Sequence, residues 1–112
     1  MGVDPQWRYL DSTGRKLVGT GAVGLAEQGT SVALSREGTT AILGGPHDNY
    51  GVGAAWVFPR SGDAWTQQGG KLIGSDADGL AGQGGSVALS RDGNTAIIGG
   101  HSDRDFVGAA WF

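Results

Sequence analysis

The chain has no cysteine, so disulfide staples and thiolate metal sites are excluded and any folded state must rest on apolar burial and backbone hydrogen bonds. Charge is also scarce. Only 17% of residues are charged, the formal net charge is −3, and Lys and Arg form no run, so the basic stripe that tracks nucleic-acid phosphates is missing. No apolar stretch approaches the roughly 18 residues a spanning helix needs. The start, Met1-Gly2-Val3-Asp4-Pro5, lacks the basic segment and apolar core of a secretory signal, so no signal peptide and no membrane span are expected. Nor does any segment hold a 3.6-residue apolar period over a useful length, so helices are not expected.

What is abundant is glycine, with 23 of 112 residues, roughly three times its usual share of about 7%. It is interleaved with Val, Ile, Leu and Trp rather than with Ser, Gln or Glu, so apolar burial remains available to offset chain entropy. A turn-rich, folded all-β chain is the expectation. At 11.4 kDa it makes at most one small domain, with a thin margin of stability.

The strongest signal is an internal repeat with an offset of 55 residues. Lys16 to Val57 lies on Lys71 to Phe112 without a gap, and 27 of the 42 positions are identical. Within each copy the punctuation recurs. Ser31 to Ser35 and Thr40 to Gly44 flank Arg36-Glu37-Gly38-Thr39, a link of hairpin type, and Ser86 to Ser90 and Thr95 to Gly99 flank Arg91-Asp92-Gly93-Asn94. Four strands per unit are predicted: A near 30 to 35, B at 40 to 45, C at 53 to 59 and D at 64 to 72. The small residues of A to C suit crowded inner strands, and Trp56 and Trp65 suit a wider outer part or a seam between units.

This pattern predicts two four-stranded antiparallel β-propeller blades. The segment Gln6 to Leu10 stands where a D strand stands later, so the strand order is D-A-B-C-D-A-B-C, a circularly permuted one. Three parts follow: 1–15 as a closure strand, 16–70 as the first blade, and 71–112 as a second blade without its outermost strand. Each end is then an unpaired sheet edge that needs covering. The expectation is that Trp7, Arg8, Tyr9 and Leu10 of one protomer pair beside Ala110, Trp111 and Phe112 of the next, closing a ring of three or four chains.

The run Gln28-Gly29-x-Ser31-Val32-Ala33-Leu34-Ser35, then Thr40 to Pro46, then Gly53-Ala54-Ala55-Trp56-Val57-Phe58, resembles the FG-GAP repeat of integrin-like β-propellers over nearly the whole chain. Gln28-Gly29 stands at the Phe-Gly position and Gly44-Gly45-Pro46 at the Gly-Ala-Pro position, with Gln83-Gly84 and Gly99-Gly100-His101 in the second copy. The resemblance implies a recognition or adhesion module, extracellular or at the cell surface, with no reaction attached. Calcium-binding members carry an acidic Asp-x-Asp-x-Asp-Gly loop between A and B. Here that loop holds only Glu37 or Asp92, too few oxygens for the about six to eight that calcium takes.

Other site signals are weak beside their structural alternatives. Gly19-Thr20-Gly21-Ala22-Val23-Gly24 matches G-x-G-x-x-G, but a strand rather than a helix follows, and Asp76 replaces Gly21 in the second copy. Asp76-Ala77-Asp78-Gly79 does not continue to a bidentate Glu, and His47 and His101 have no second ligand at metal spacing. No Gly-x-Ser-x-Gly elbow or recurring carboxylate pair is present, so no catalytic residue, cofactor or metal is expected. The candidate ligand loops are Asp48, Asn49 and Tyr50 with Asp103, Arg104 and Asp105, which differ most between the copies. Two functions stay open. One is a self-assembling recognition or structural scaffold with itself and a protein ligand as the expected partners. The other is a carbohydrate-binding lectin in which Trp7, Trp56, Trp65 and Trp111 stack on sugars, against the alternative that they pack between strands.

Overall fold

Two short antiparallel sheets, one per repeat, make up the molecule, described by a computed structural model over residues 16–75, 79–103 and 109–111. The first sheet is β1 (Ser31–Leu34), β2 (Thr40–Gly45), β3 (Ala54–Ser61) and β4 (Ala64–Trp65), in that spatial order. The second is β5 (Ser86–Leu89), β6 (Ala96–Gly100) and β7 (Ala109–Trp111). The all-β expectation holds, and strands A, B and C of each copy stand where the repeat places them. Arg8, Tyr9, Leu10, Trp7 and Phe112 of the expected closure, with Arg104 and Asp105, lie outside the described residues.

The two sheets are built alike. Ser31 pairs with Gly44 and Leu34 with Ala41, as Ser86 pairs with Gly99 and Leu89 with Ala96. Both hairpin links close by the same bonds: the Ser35 amide donates to the Thr40 carbonyl and the Ser90 amide to the Thr95 carbonyl. The hydroxyls of Ser35 and Ser90 accept the Thr40 and Thr95 amides in turn. Asp92 adds a local brace. Its carboxylate accepts the Asn94 amide and the Ser90 hydroxyl, which together hold its pKa below the ordinary aspartate value, the Asn94 bond most of all.

Strand D departs from expectation. Only Ala64–Trp65 forms a regular strand, although the chain continues beside β3: Thr66 donates to Pro59, Gln68 to Val57, and Leu72 exchanges two bonds with Ala55. Four steps along this segment, from 68 to 72, face two along β3, from 57 to 55. The surplus is Gly69-Gly70, with Gly69 at φ +68°, a conformation no extended strand contains. Two glycines without side chains to pack thus break one predicted strand into a strand and a bulge.

A second departure is a single left-handed turn at Asp48–Gly51, with Asn49 at φ 50° and Tyr50 at φ 58°. Asn adopts this region readily, whereas Tyr pays on the order of 1 kcal/mol for it.

One core lies on the outer face of the first sheet, where Ala26, Ala54, Trp56 and Phe58 are buried, with Leu17, Leu43 and Trp65 against them. The loop from 16 to 29 forms its lid. The Gln28 side chain bonds both the amide and the carbonyl of Gly19, and Gln83 repeats this with Gly74. Gly19 then lies flat on the Trp56 indole, whose N–H donates to the Thr20 carbonyl at 2.8 Å. A Cβ at position 19 would overlap the ring. Gly19→Ala is therefore expected to lower stability by about 1–3 kcal/mol, the usual cost of overpacking. Urea denaturation followed by circular dichroism checks it, and an unchanged midpoint would show that the lid does not rest on Trp56.

Candidate assembly interface

The second core lies between the sheets. Ile42 and Ala55 of the first sheet meet Ile98 of the second, and Ala33, Val57, Val87, Leu89 and Ala96 surround them. Around this apolar centre runs a rim of backbone bonds. Gly82 and Gln83 donate to Gly51 and Val52 at 2.8 and 3.0 Å, Arg36 donates to Arg91 at 3.1 Å, and the Ser31 hydroxyl donates to the Gly84 carbonyl at 2.7 Å. Gly53 and Gly84 are both required here. Each holds a positive φ, and a Cβ on either would strike the backbone of the opposite unit.

The rim includes an ion pair built on Asp48. Its carboxylate has no solvent exposure; one oxygen accepts the Val23 amide of its own unit at 2.8 Å, and the other accepts the Lys71 ammonium of the next unit at 2.6 Å. The Lys71 side chain is itself only 17% exposed. A charge pair so far from water contributes little net stability over an apolar pair. Removing one partner, however, strands the other in a low dielectric.

Of the candidate ligand-loop residues, Asp48 is therefore committed to the seam, while Asn49 and Tyr50 are exposed, Tyr50 by 75%. Asp103, the counterpart of Asp48 at the 55-residue offset, is also buried. Trp56 is fully buried and presents no face to a sugar. The Trp65 ring is covered by the Arg60 guanidinium, 5.4 Å from its centroid. His47 is exposed, 3.6 Å from Glu27. Among the described residues no group of three or more His, Asp or Glu side chains could hold a metal ion, and no helix is long and apolar enough to cross a membrane.

Lys71 holds the seam and Gln28 and Gln83 pin the loops at Gly19 and Gly74, roles that sequence reasoning did not assign them. Their signal was present: each is one of the few long polar side chains repeated at the 55-residue offset in a background of Gly and Ala.

Because the sheets are copies, each also has a face equivalent to the one its twin uses in the seam. Val87 and Leu89 are half-buried in the seam, but their counterparts Val32 and Leu34 are 63% and 61% exposed. Ile42 is buried in it, but its counterpart Ile97 is 44% exposed. Each unit also carries an open concavity. One of about 290 Å³ is lined by Gly85, Ser86, Gly99, Gly100 and His101. The other, about 510 Å³, lies along the loop from Val18 to Gln28.

Asp48→Ala and Lys71→Met should each destabilise the chain by about 3–5 kcal/mol, since each leaves a buried charge uncompensated. Combining them should cost less than their sum by on the order of 1–3 kcal/mol, as for residues in direct contact. Denaturant midpoints of the four proteins close this double-mutant cycle, and strict additivity would show that the pair is not coupled.

No protein-family model, curated protein or solved structure matches this chain.

Proposed function

We propose that this chain is a non-enzymatic repeat module that assembles with copies of itself into a closed β-propeller-like ring and serves as a recognition or structural scaffold. The observation that carries the reading is the contrast between equivalent positions: Val87 and Leu89 half-buried, Val32 and Leu34 open, Ile42 covered, Ile97 open. A face that one copy buries is apolar in the other for the same reason, and water-exposed apolar faces of this kind mark interaction surfaces. The two sheets approach through β1, β2 and β5, which agrees with blades set around a common axis. In the ring, Trp7 to Leu10 of one protomer adds a strand beside Ala110 and Trp111 of the next, the geometry of an open head-to-tail contact that closes by rotation. The resemblance to FG-GAP repeats points the same way and suggests an extracellular or cell-surface setting. Ligand recognition belongs to the exposed loop tips, Asn49 and Tyr50 among them. No observation favours the carbohydrate reading over this one, since Trp56 is enclosed and Trp65 is covered.

Native mass spectrometry and sedimentation at micromolar concentration test the assembly. Three copies of the 11.4 kDa chain give about 34 kDa and four give about 46 kDa. A single stable 11.4 kDa species overturns the proposal.

A further inference from the structure

We infer that a second copy of this chain docks on the free faces in the register of the internal seam, with Lys16 of one copy reaching the partner's Asp103 as Lys71 reaches Asp48. The inference rests on the self-assembly reading and specifies how the copies meet.

The internal seam has a donor side and an acceptor side, and the 55-residue offset maps each onto a free face. On the acceptor side, Ser31, Gly44 and Gly45 form the recess that Gly84 fills; a Cβ at position 84 would meet the Ala54 carbonyl, the Gly45 nitrogen and the Gly44 Cα. Their counterparts Ser86, Gly99 and Gly100 line the concavity of about 290 Å³, and the three atoms nearest a Cβ at Gly99 all belong to Ser86. The recess exists in the second unit, with no next unit in it.

On the donor side, Gly29 is the counterpart of Gly84. It has the same conformation, φ 93° against 92°, yet a Cβ there would meet nothing within 4 Å. A backbone shape that the seam uses at Gly84 is thus held ready at Gly29 with open space around it. Lys16 is exposed, whereas its counterpart Lys71 is mostly buried on Asp48. Asp103, the counterpart of Asp48, is already in place and 8% exposed. Apolar area, recess, protruding turn and opposite charges therefore all pair in one register, that of Lys16 with the partner's Asp103.

The contact is polar: the donor face of one copy meets the acceptor face of another, never its like. This separates it from a two-fold dimer, in which one patch meets itself. Val32 and Ile97 sit on opposite free faces, are exposed in the single chain, and map onto Val87 and Ile42, which share one apolar cluster. With no native cysteine in the chain, V32C and I97C each give one reactive thiol without touching a buried group.

Mixing the two variants with a short bifunctional maleimide should give a covalent heterodimer at least about tenfold faster than either variant alone gives a homodimer, the margin expected of a docked pair over random encounter. K16E should weaken assembly by about tenfold or more, and leave the monomer's denaturation midpoint unchanged, because the Lys16 side chain is exposed. An oligomer of the expected mass in which V32C and I97C do not couple, or in which V32C couples to itself, overturns this docking and leaves the scaffold reading standing. A chain that stays monomeric overturns both.

Discussion

Asp48 is a carboxylate with no access to water, and it faces in two directions: one oxygen stops the loop of its own unit at Val23, and the other holds the lysine that begins the next. Burial makes this arrangement demanding. An unpaired carboxylate there would cost several kcal/mol, so Val23, Lys71 and the left-handed turn at 48–51 must all be in place together. The turn in turn brings Gly51 to Gly53 to the backbone of Gly82 and Gln83, and the apolar centre at Ile42, Ala55 and Ile98 closes behind it. The order of the two sheets depends on this one junction more than on any single strand pairing.

The junction also explains the glycine content. At Gly53 and Gly84 the two backbones come so near that a β-carbon cannot be accommodated, and both residues hold a positive φ as well. At Gly19 the constraint is different, an aromatic ring in face contact with the chain. Glycine here is a packing residue that lets backbone meet backbone or indole, and the apolar side chains fill the remaining space. With no disulfide to close the chain, close approach is what holds two small sheets as one body.

Most of the residues that join the units also repeat, among them Ile42, Ala55, Asp48 and Lys71, which recur as Ile97, Ala110, Asp103 and Lys16. In this two-unit chain one such contact is filled, and the faces equivalent to its two sides stay exposed. Val32, Leu34 and Ile97 are exposed, whereas their twins Val87 and Leu89 are half-buried and Ile42 is buried, in the contact between the sheets. Repeat architectures obtain their stability from such nearest-neighbour contacts.

How far the sequence reached can be read residue by residue. The identical spacing of Ser31-Val32-Ala33-Leu34 and Ser86-Val87-Ala88-Leu89 was enough to place two equal hairpins, because a period-two pattern bounded by Gly-containing links leaves a short chain few other pairings. The all-β class and the inner three strands of each unit were legible for that reason. Strand D was legible only in part, since whether Gly69-Gly70 continues a ladder or bulges is decided by what β3 presents opposite. The role of Asp48 was not legible at all: it reads as a polar loop residue, and only the fold brings Lys71, 23 positions further on, to its second oxygen. Local patterning, which depends on neighbours in the chain, was determined by the sequence itself. Which faces are covered, and which of two identical side chains meets water, was decided by tertiary structure, because burial depends on what another segment brings across the gap.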